Sequence, residues 1–196
     1  MNRMDALRVI DRLFAEHLLI VTCGATAREL AAISSRPNHL PLLDSMGLTS
    51  AVGLGVALSH PGPVGVIDGD GSMLMGFSIL PTLVCYAPAN LTVVVLDNGQ
   101  HASADGMPSQ AARVDIAAAS VGLGLATVVV DGPDGLASAL DTALTSERFD
   151  LILAKIEAGN TAGIPFRLDD PAVMADQFRL AADRLRASGV PGSARA

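Results

Sequence analysis

The chain has 196 residues, half of them hydrophobic, 17% charged and only 3% aromatic; that is enough for one ordinary domain, and it excludes a disordered chain, a collagen and a coiled coil. Lys and Arg number 13 against 20 Asp and Glu, a formal charge of −7 with no basic run, which argues against nucleic-acid binding, because that affinity rests on neutralising phosphates. Cys23 and Cys85 are the only cysteines and give neither a disulfide framework nor a zinc spacing, and the polar, mixed-charge start shows no signal-peptide pattern, so a reducing, cytoplasmic setting is expected.

Taken in order, residues 4–17 place Leu7, Ile10, Leu13 and Phe14 at helical spacing, with Asp5 and Arg8 on the wet face. A short apolar run at 18–21 predicts a strand. The turn Cys23-Gly24-Ala25-Thr26 follows, with Thr26 expected to cap a helix running through Leu30 and Ile33. Residues 40–43 predict a second strand. Residues 48–58 predict a helix of small apolar side chains, packed closely through Gly53 and Gly55. The strand predicted at 64–67 stops at Asp68-Gly69-Asp70-Gly71, and a helix over 72–86 is expected to kink or break at Pro81.

The clearest strand, 91–96, ends in the turn Asp97-Asn98-Gly99. A loop over 100–113, a helix over 115–122, a strand over 126–130, a helix over 135–144 capped near Asp134, and a last strand over 151–156 complete the pattern. Residues 159–171 read as a connector, 171–185 as an amphipathic helix and 188–196 as a loose tail. Residues 71–96 contain no Asp, Glu, Lys or Arg, but Pro81, Pro88 and Asn90 interrupt them, so no membrane span is expected. Strands alternating with helices predict an α/β fold, a mostly parallel sheet between two helical layers.

In such sheets ligands bind beyond the carboxyl ends of the strands. Two of those ends carry unusual polar groups: Gly69-Asp70-Gly71-Ser72 and Asp97-Asn98-Gly99-Gln100. A carboxylate from Asp70, an amide oxygen from Asn98 and the backbone carbonyl of Gln100 are hard oxygen donors of the kind Mg²⁺ takes, with room left for water and phosphate oxygens. Gly69 and Gly71 let the backbone approach a phosphate, and a helix opening near Ser72 turns free N–H groups toward it. Each residue also has a plainer reading. Asp70 and Asn98 are common in turns, and Ser72 can simply cap its helix.

The span Gly69 to Asn98, Gly-Asp-Gly, a spacer, then Asn, resembles the diphosphate-binding signature of thiamine diphosphate-dependent enzymes. The resemblance implies the three-layer thiamine diphosphate-binding fold, with residues 1–160 as the diphosphate-binding domain, 161–187 as a connector and helix, and 188–196 as a tail. It implies that Asp70, Asn98 and the Gln100 carbonyl hold Mg²⁺. It assigns Gly24 and Thr26 to the first diphosphate loop, and Asp44-Ser45-Met46-Gly47 to the stretch against the aminopyrimidine. There Met46 would wedge between the two rings, and the Asp44 carbonyl would face the 4′-amino group.

Within the family, the stretches TARELAAISSRPNHLPLLDSMG and YAPANLTVVVLDNGQH are similar to sulfopyruvate decarboxylase beta subunits and to the C-terminal half of phosphonopyruvate decarboxylase. The activity implied is decarboxylation of a 2-oxo acid, with the coenzyme as electron sink. The family's catalytic glutamate sits on a separate pyrimidine-binding domain, for which this chain has no room. A pyrimidine-binding alpha-type partner subunit is therefore implied.

His101 follows the ligand turn, where it can relay a proton or contact a substrate, or else lie in solvent as a loop residue. Arg28 can meet an anionic substrate group or pair within the protein. His17, His39 and His60 read as surface or packing residues, and Cys23 and Cys85 as small core residues. The sequence departs from the resembled decarboxylases at Ala102-Ser103-Ala104-Asp105-Gly106-Met107, where they carry a Thr-Gly-Gly-Gln run. Asp105 is expected to bring negative charge near the pocket. That leaves open a less charged 2-oxo acid, carboligation of the acetolactate type, or a non-catalytic subunit that keeps the cofactor cradle.

Overall fold

All four side chains of β1 (Leu18–Val21) are buried, and they alternate between two separate cores. Leu18 and Ile20 enter one, Leu19 and Val21 the other. A strand covered on both faces reads as a continuous apolar run, as this one does. The structure, a computed structural model, describes residues 1–146, 148–165 and 169–188.

The remaining strands are β2 (His39–Pro41), β3 (Val64–Gly69), β4 (Leu91–Asp97), the two-residue pair β5 (Gln100–His101) and β6 (Met107–Pro108), then β7 (Thr127–Val130) and β8 (Asp150–Lys155). The helices are α1 (Arg3–Leu13), α2 (Ala25–Ile33), α3 (Thr49–Ser59), α4 (Asp70–Met75), α5 (Ile79–Tyr86), α6 (Ile116–Gly122), α7 (Pro133–Thr145) and α8 (Pro171–Ala187). Six strands form one sheet in the order β2-β1-β3-β4-β8-β7, and every pairing in it is parallel. β5 and β6 form a separate antiparallel ribbon.

Ala6, Leu7 and Ile10 of α1, Leu30 of α2 and Leu136 and Leu140 of α7 fill one core. Leu54 of α3, Leu80 and Leu83 of α5, Ile116 of α6 and Phe178 of α8 fill the other. This is the three-layer α/β/α architecture expected. Fully burying one such Leu or Ile is worth about 1.5–3 kcal/mol. α3 lies close on the sheet because Gly53 leaves room: a Cβ there would sit 2.1 Å from Val66 Cγ2. Gly55, expected to share that role, faces open space instead.

Several boundaries move for local reasons. Thr26 does not cap α2; Gly24 occupies the cap with φ +81°, and Thr26 is the second helical residue. Ser72 does not open its helix, because α4 starts at Asp70 with Gly69 as its cap. The break expected at Pro81 falls at residues 76–78. Pro81 is the third residue of α5, where a missing N–H costs no helical hydrogen bond. α7 is capped at Gly132, with Pro133 first in the helix, rather than near Asp134. The tail expected at 188–196 lies outside the described residues from 189 onward. Among the described residues no helix is long and apolar enough to cross a membrane.

α1 enters β1 through a turn over residues 14–17, so it runs antiparallel to the sheet and its first residues return to the carboxyl edge. Residues 157–161, which leave β8, lie at the same edge. Both segments thereby join the strand ends where the candidate site sits.

Candidate functional site

The chain passes from β1 outward to β2 and then returns to lay β3 on the opposite side of β1. A crevice opens where strand order reverses in this way. A cleft of about 440 Å³ occupies it. Its walls are the turn after β1 (Thr22 to Thr26), the start of α4 (Gly69, Gly71, Ser72), the end of β4 and the loop beyond (Leu96, Asn98, Gln100 to Ala104), with Met46, Met75 and Met107 at the mouth.

Asp70 sits at the tip of β3 beside the tip of β4, since Gly69 is in register with Leu96. Its carboxylate is buried, accepts a hydrogen bond from the Ser109 hydroxyl and is hydrogen-bonded by the backbone of Asn98. Burial pushes its pKa up; the Ser109 bond works against that, and the nearby Asp97 carboxylate adds to it. Asp97 is matched by Lys155. Asp70 has no cationic partner among the described residues. A buried carboxylate of that kind is where a cation would offset the desolvation.

Asn98 lines the cleft, and its side-chain oxygen accepts the Gln100 N–H at 3.0 Å, an Asx turn that leaves one lone pair free. Among the described residues no group of three or more His, Cys, Asp or Glu forms a metal cage. Asn98 and Gln100 line the main cleft, while Asp70 is buried and not part of its wall; one carboxylate with neutral oxygens is the donor chemistry that Mg²⁺ accepts when phosphate completes its shell.

Ser72 joins three segments. Its hydroxyl donates to the Asp68 carboxylate and accepts the Gly47 N–H at 3.0 Å and the Thr22 hydroxyl at 3.4 Å. Asp68 is 1% exposed, and burial drives its pKa up against hydrogen bonds from Ser72, the Gly69 N–H and Ser50. This hub holds the 44–47 turn, in which Asp44 (φ +48°) and Gly47 (φ +83°) adopt left-handed conformations. The turn presses on α4 so closely that a Cβ on Gly76 would lie 2.0 Å from the Gly47 carbonyl oxygen. Met46 is thereby set at the cleft mouth, 39% exposed.

Asp44 and Ser45 do not line the main cleft. Ser45 caps the Leu43 carbonyl, and Asp44 borders a neighbouring cleft of about 560 Å³ with Arg28, Leu43 and Met174, which also touches Cys23, Gly24, Met46 and Met75. Arg28 is placed in that second cleft and engaged within the protein, rather than in the main one.

His101 lies across Gly71: a Cβ there would come within 2.3 Å of the imidazole Cε1. The ring is half-buried and faces the main cleft. In the loop beyond, Ser103 accepts the Ala25 N–H at 3.1 Å, taking one of the free donors at the start of α2. Asp105 is exposed and not part of the cleft wall, but it directly follows Ala104, which is, so its charge stands beside the cleft rather than inside it. Neither cysteine is in the core: Cys23 is half-buried in the cleft wall and Cys85 is exposed. His39 and His60 are buried and His17 packs edge-on against Phe14, so all three are packing residues.

One cleft residue escapes sequence reasoning. Arg3, 6% exposed, reaches the cleft wall and donates from Nη1 to Glu29 at 2.9 Å and to Asn160 at 3.1 Å. Asn160 in turn donates to the Ala102 carbonyl at 2.7 Å, and Glu29 accepts the Thr161 N–H at 2.9 Å. A lone arginine in the first turn of an amphipathic helix reads as solvated, and no spacing in the sequence signals its burial.

Residues 22–154 match the model of the thiamine pyrophosphate enzyme family's C-terminal, thiamine pyrophosphate-binding domain. The chain is 37% identical over 182 residues to a phosphonopyruvate decarboxylase of Streptomyces viridochromogenes, covering 90% of this chain and 46% of that protein. It is 37% identical over 124 residues to the sulfopyruvate decarboxylase subunit beta of Methanothermobacter thermautotrophicus, covering 63% of this chain and 67% of that subunit. The chain thus spans about half the length of the phosphonopyruvate decarboxylases it matches, 46% and 48% of two of them. A Rhodococcus jostii thiamine diphosphate-dependent 4-hydroxybenzoylformate decarboxylase shares the fold with a TM-score of 0.69 at 15% identity, over 82% of this chain and 33% of that one.

Proposed function

The chain belongs to the thiamine pyrophosphate enzyme family, as its C-terminal coenzyme-binding domain, and from that premise we propose that it is the diphosphate- and Mg²⁺-binding, beta-type subunit of a two-chain 2-oxo acid decarboxylase. The observation that carries this reading is the buried Asp70 carboxylate, without a cationic partner among the described residues, beside Asn98 at the next strand tip. Thiamine diphosphate, when bound, supplies the electron sink for cleaving the bond between the carboxylate and keto carbon of the substrate.

The protein's own groups have separable tasks. Asp70, Asn98 and the Gln100 carbonyl hold the metal. Gly69, at the start of α4, admits the diphosphate to the backbone, together with Gly24 and Thr26 at the start of α2, while Gly71 makes room for the His101 ring. Met46, fixed by the Gly47–Ser72 bond, would stand against the coenzyme in the cleft. His101 stands where it can hold or deliver a proton at a ring nitrogen on the cleft side. The methionines and Leu96 keep the cleft wall apolar and exclude water.

The glutamate that activates the coenzyme comes in this reading from an alpha-type partner. Similarity to a protein named as a beta subunit supports that division. Sulfopyruvate- and phosphonopyruvate-like acids lead the substrate list, and the place of Asp105 outside the cleft wall weakens one objection to an anionic substrate.

The test is the chain reassembled with its partner and assayed for CO₂ release from sulfopyruvate, phosphonopyruvate and pyruvate, with Mg²⁺ and coenzyme. Mg²⁺-linked uptake of thiamine diphosphate, lost in Asp70→Asn, is expected. Full turnover by Asp70→Ala would refute the metal assignment.

A further inference from the structure

Among the described residues, Arg3 is the only charged side chain in the wall of the main cleft. It is 94% buried by the complement of its 6% exposure, yet only Nη1 of its guanidinium has hydrogen-bond partners among the described residues. Nε and Nη2 are uncommitted donors at the cleft. Arg cannot shed its charge, so a buried guanidinium with spare donors is a site for an oxyanion.

The surroundings fix its position. Glu29 holds Nη1 on one side, and Asn160 bridges from the same Nη1 to the Ala102 carbonyl. Arg3 is therefore tied to the wall that carries Gln100 to Ala102, near the metal turn. Thr26 and Glu29 are both buried on α2, a nine-residue helix whose first residues, Ala25 and Thr26, line the same cleft as Arg3. Gly24, the cap of α2, contributes no side-chain cap bond, and Ser103 takes only the Ala25 N–H. Glu29 Oε2 is buried without a partner, so the carboxylate does not fully engage the guanidinium that it positions.

We propose that Arg3 is the anchor for the terminal phosphate of the coenzyme, a fixed cation brought from the first turn of α1 to the wall of the cleft. This rests on the proposed function, since it takes thiamine diphosphate as the ligand. A tetrahedral sulfonate or phosphonate of the substrate presents the same oxygens, and the experiment separates the two. The Arg3–Glu29 pair is a positioning device. It keeps the guanidinium in place, and it leaves the pair near neutral until the anion arrives.

The test measures binding by calorimetry on the chain reassembled with its partner in Mg²⁺, using thiamine diphosphate, thiamine monophosphate and thiamine as separate probes. The variants are Arg3→Gln, Arg3→Lys and the double variant Arg3→Gln with Glu29→Gln. The double variant leaves no unpaired buried charge and so guards against misfolding. Losing a charge-assisted hydrogen bond predicts that thiamine diphosphate binds about 10- to 100-fold more weakly to a folded double variant. Thiamine binding is unchanged, and Arg3→Lys recovers part of the loss.

Equal weakening for all three probes would overturn the proposal, because it would mark a structural role. An unchanged diphosphate affinity with a raised KM for the 2-oxo acid would overturn it in favour of substrate recognition. If the wild-type complex takes up no thiamine diphosphate, the functional reading itself fails and the anchor with it. If the wild type binds and the folded double variant binds equally well, only the anchor fails.

Discussion

The backbone N–H of Gly47 donates to the Ser72 hydroxyl at 3.0 Å, and so the turn that presents Met46 is fastened to the helix that opens with Asp70. Wedge and metal ligand share one rigid unit. Gly76 is the point of contact: a methyl group there would lie 2.0 Å from the Gly47 carbonyl oxygen, a backbone atom that cannot rotate aside. Gly76→Ala is expected to cost about 1–3 kcal/mol as an overpacking change. It also moves Met46, so coenzyme affinity falls while Asp70 and Asn98 remain intact. Thermal denaturation and coenzyme titration on the same variant check both effects.

Asp70→Asn is expected to separate stability from binding. The carboxylate is disfavoured by burial and by Asp97 when no metal offsets it, so a neutral amide of the same shape raises metal-free stability by about 1 kcal/mol. The same change abolishes Mg²⁺-linked coenzyme uptake. Melting curves with and without Mg²⁺ and coenzyme read the result: a ligand-dependent rise in Tm for wild type, and a higher, ligand-insensitive Tm for the variant.

Gly71→Ala is expected to mimic loss of His101. The new Cβ falls 2.3 Å from the imidazole, but the ring is the mobile end of a side chain, so the fold survives and the histidine swings away. Removing a proton-transferring group costs about 10²- to 10⁴-fold in rate. His101→Ala and Gly71→Ala are expected to lower kcat alike, and a double variant to be no worse than either. Additive losses would separate the two residues.

Acid sensitivity is expected to come in two steps, and one cluster contributes to both. His39 is buried, with Nε2 3.2 Å from the Phe14 carbonyl and Nδ1 3.7 Å from Asp11; burial holds its pKa below the usual 6.5, against the pull of both neighbours. The unfolded chain therefore takes up a proton first, and stability falls with pH below 6.5, by at most about 1.4 kcal/mol per pH unit. For Asp11, burial works against the charge, but bonds from Arg36 and Ser34 outweigh it and hold the pKa below 3.8. Its contribution is present above that value and lost as pH drops further. Urea midpoints between pH 8 and pH 3 map both steps; His39→Gln is expected to shrink the first, with the remainder from His17 and His60, whose pKa values burial also lowers, and to leave the second in place.

The site was legible where chemistry is local and hidden where it is tertiary. Gly69-Asp70-Gly71 and Asp97-Asn98-Gly99 stand out because polar turns abruptly end apolar strands, and strand order alone then brings the two together. Arg3 could not be found this way, since its burial depends on α1 folding back to the carboxyl edge and on Asn160 arriving from the far end of the chain. The helix break was misplaced because Pro81 is an obvious breaker on paper, whereas contact between Gly76 and Gly47 exists only once the 44–47 turn has docked. Cys85, apolar in its neighbourhood of sequence, lies on the outer side of α5, and helical spacing over eight residues is too short to show which side that is.

Met46, Met75 and Met107 stand 39%, 63% and 59% exposed around one opening. Thioethers in that position are open to peroxide, and conversion to sulfoxides would turn a greasy rim polar. The chain would therefore take oxidative damage first at the entrance to its own cleft. Mass spectrometry after mild oxidant, with and without thiamine diphosphate and Mg²⁺, would read how far a ligand in the cleft shields that entrance.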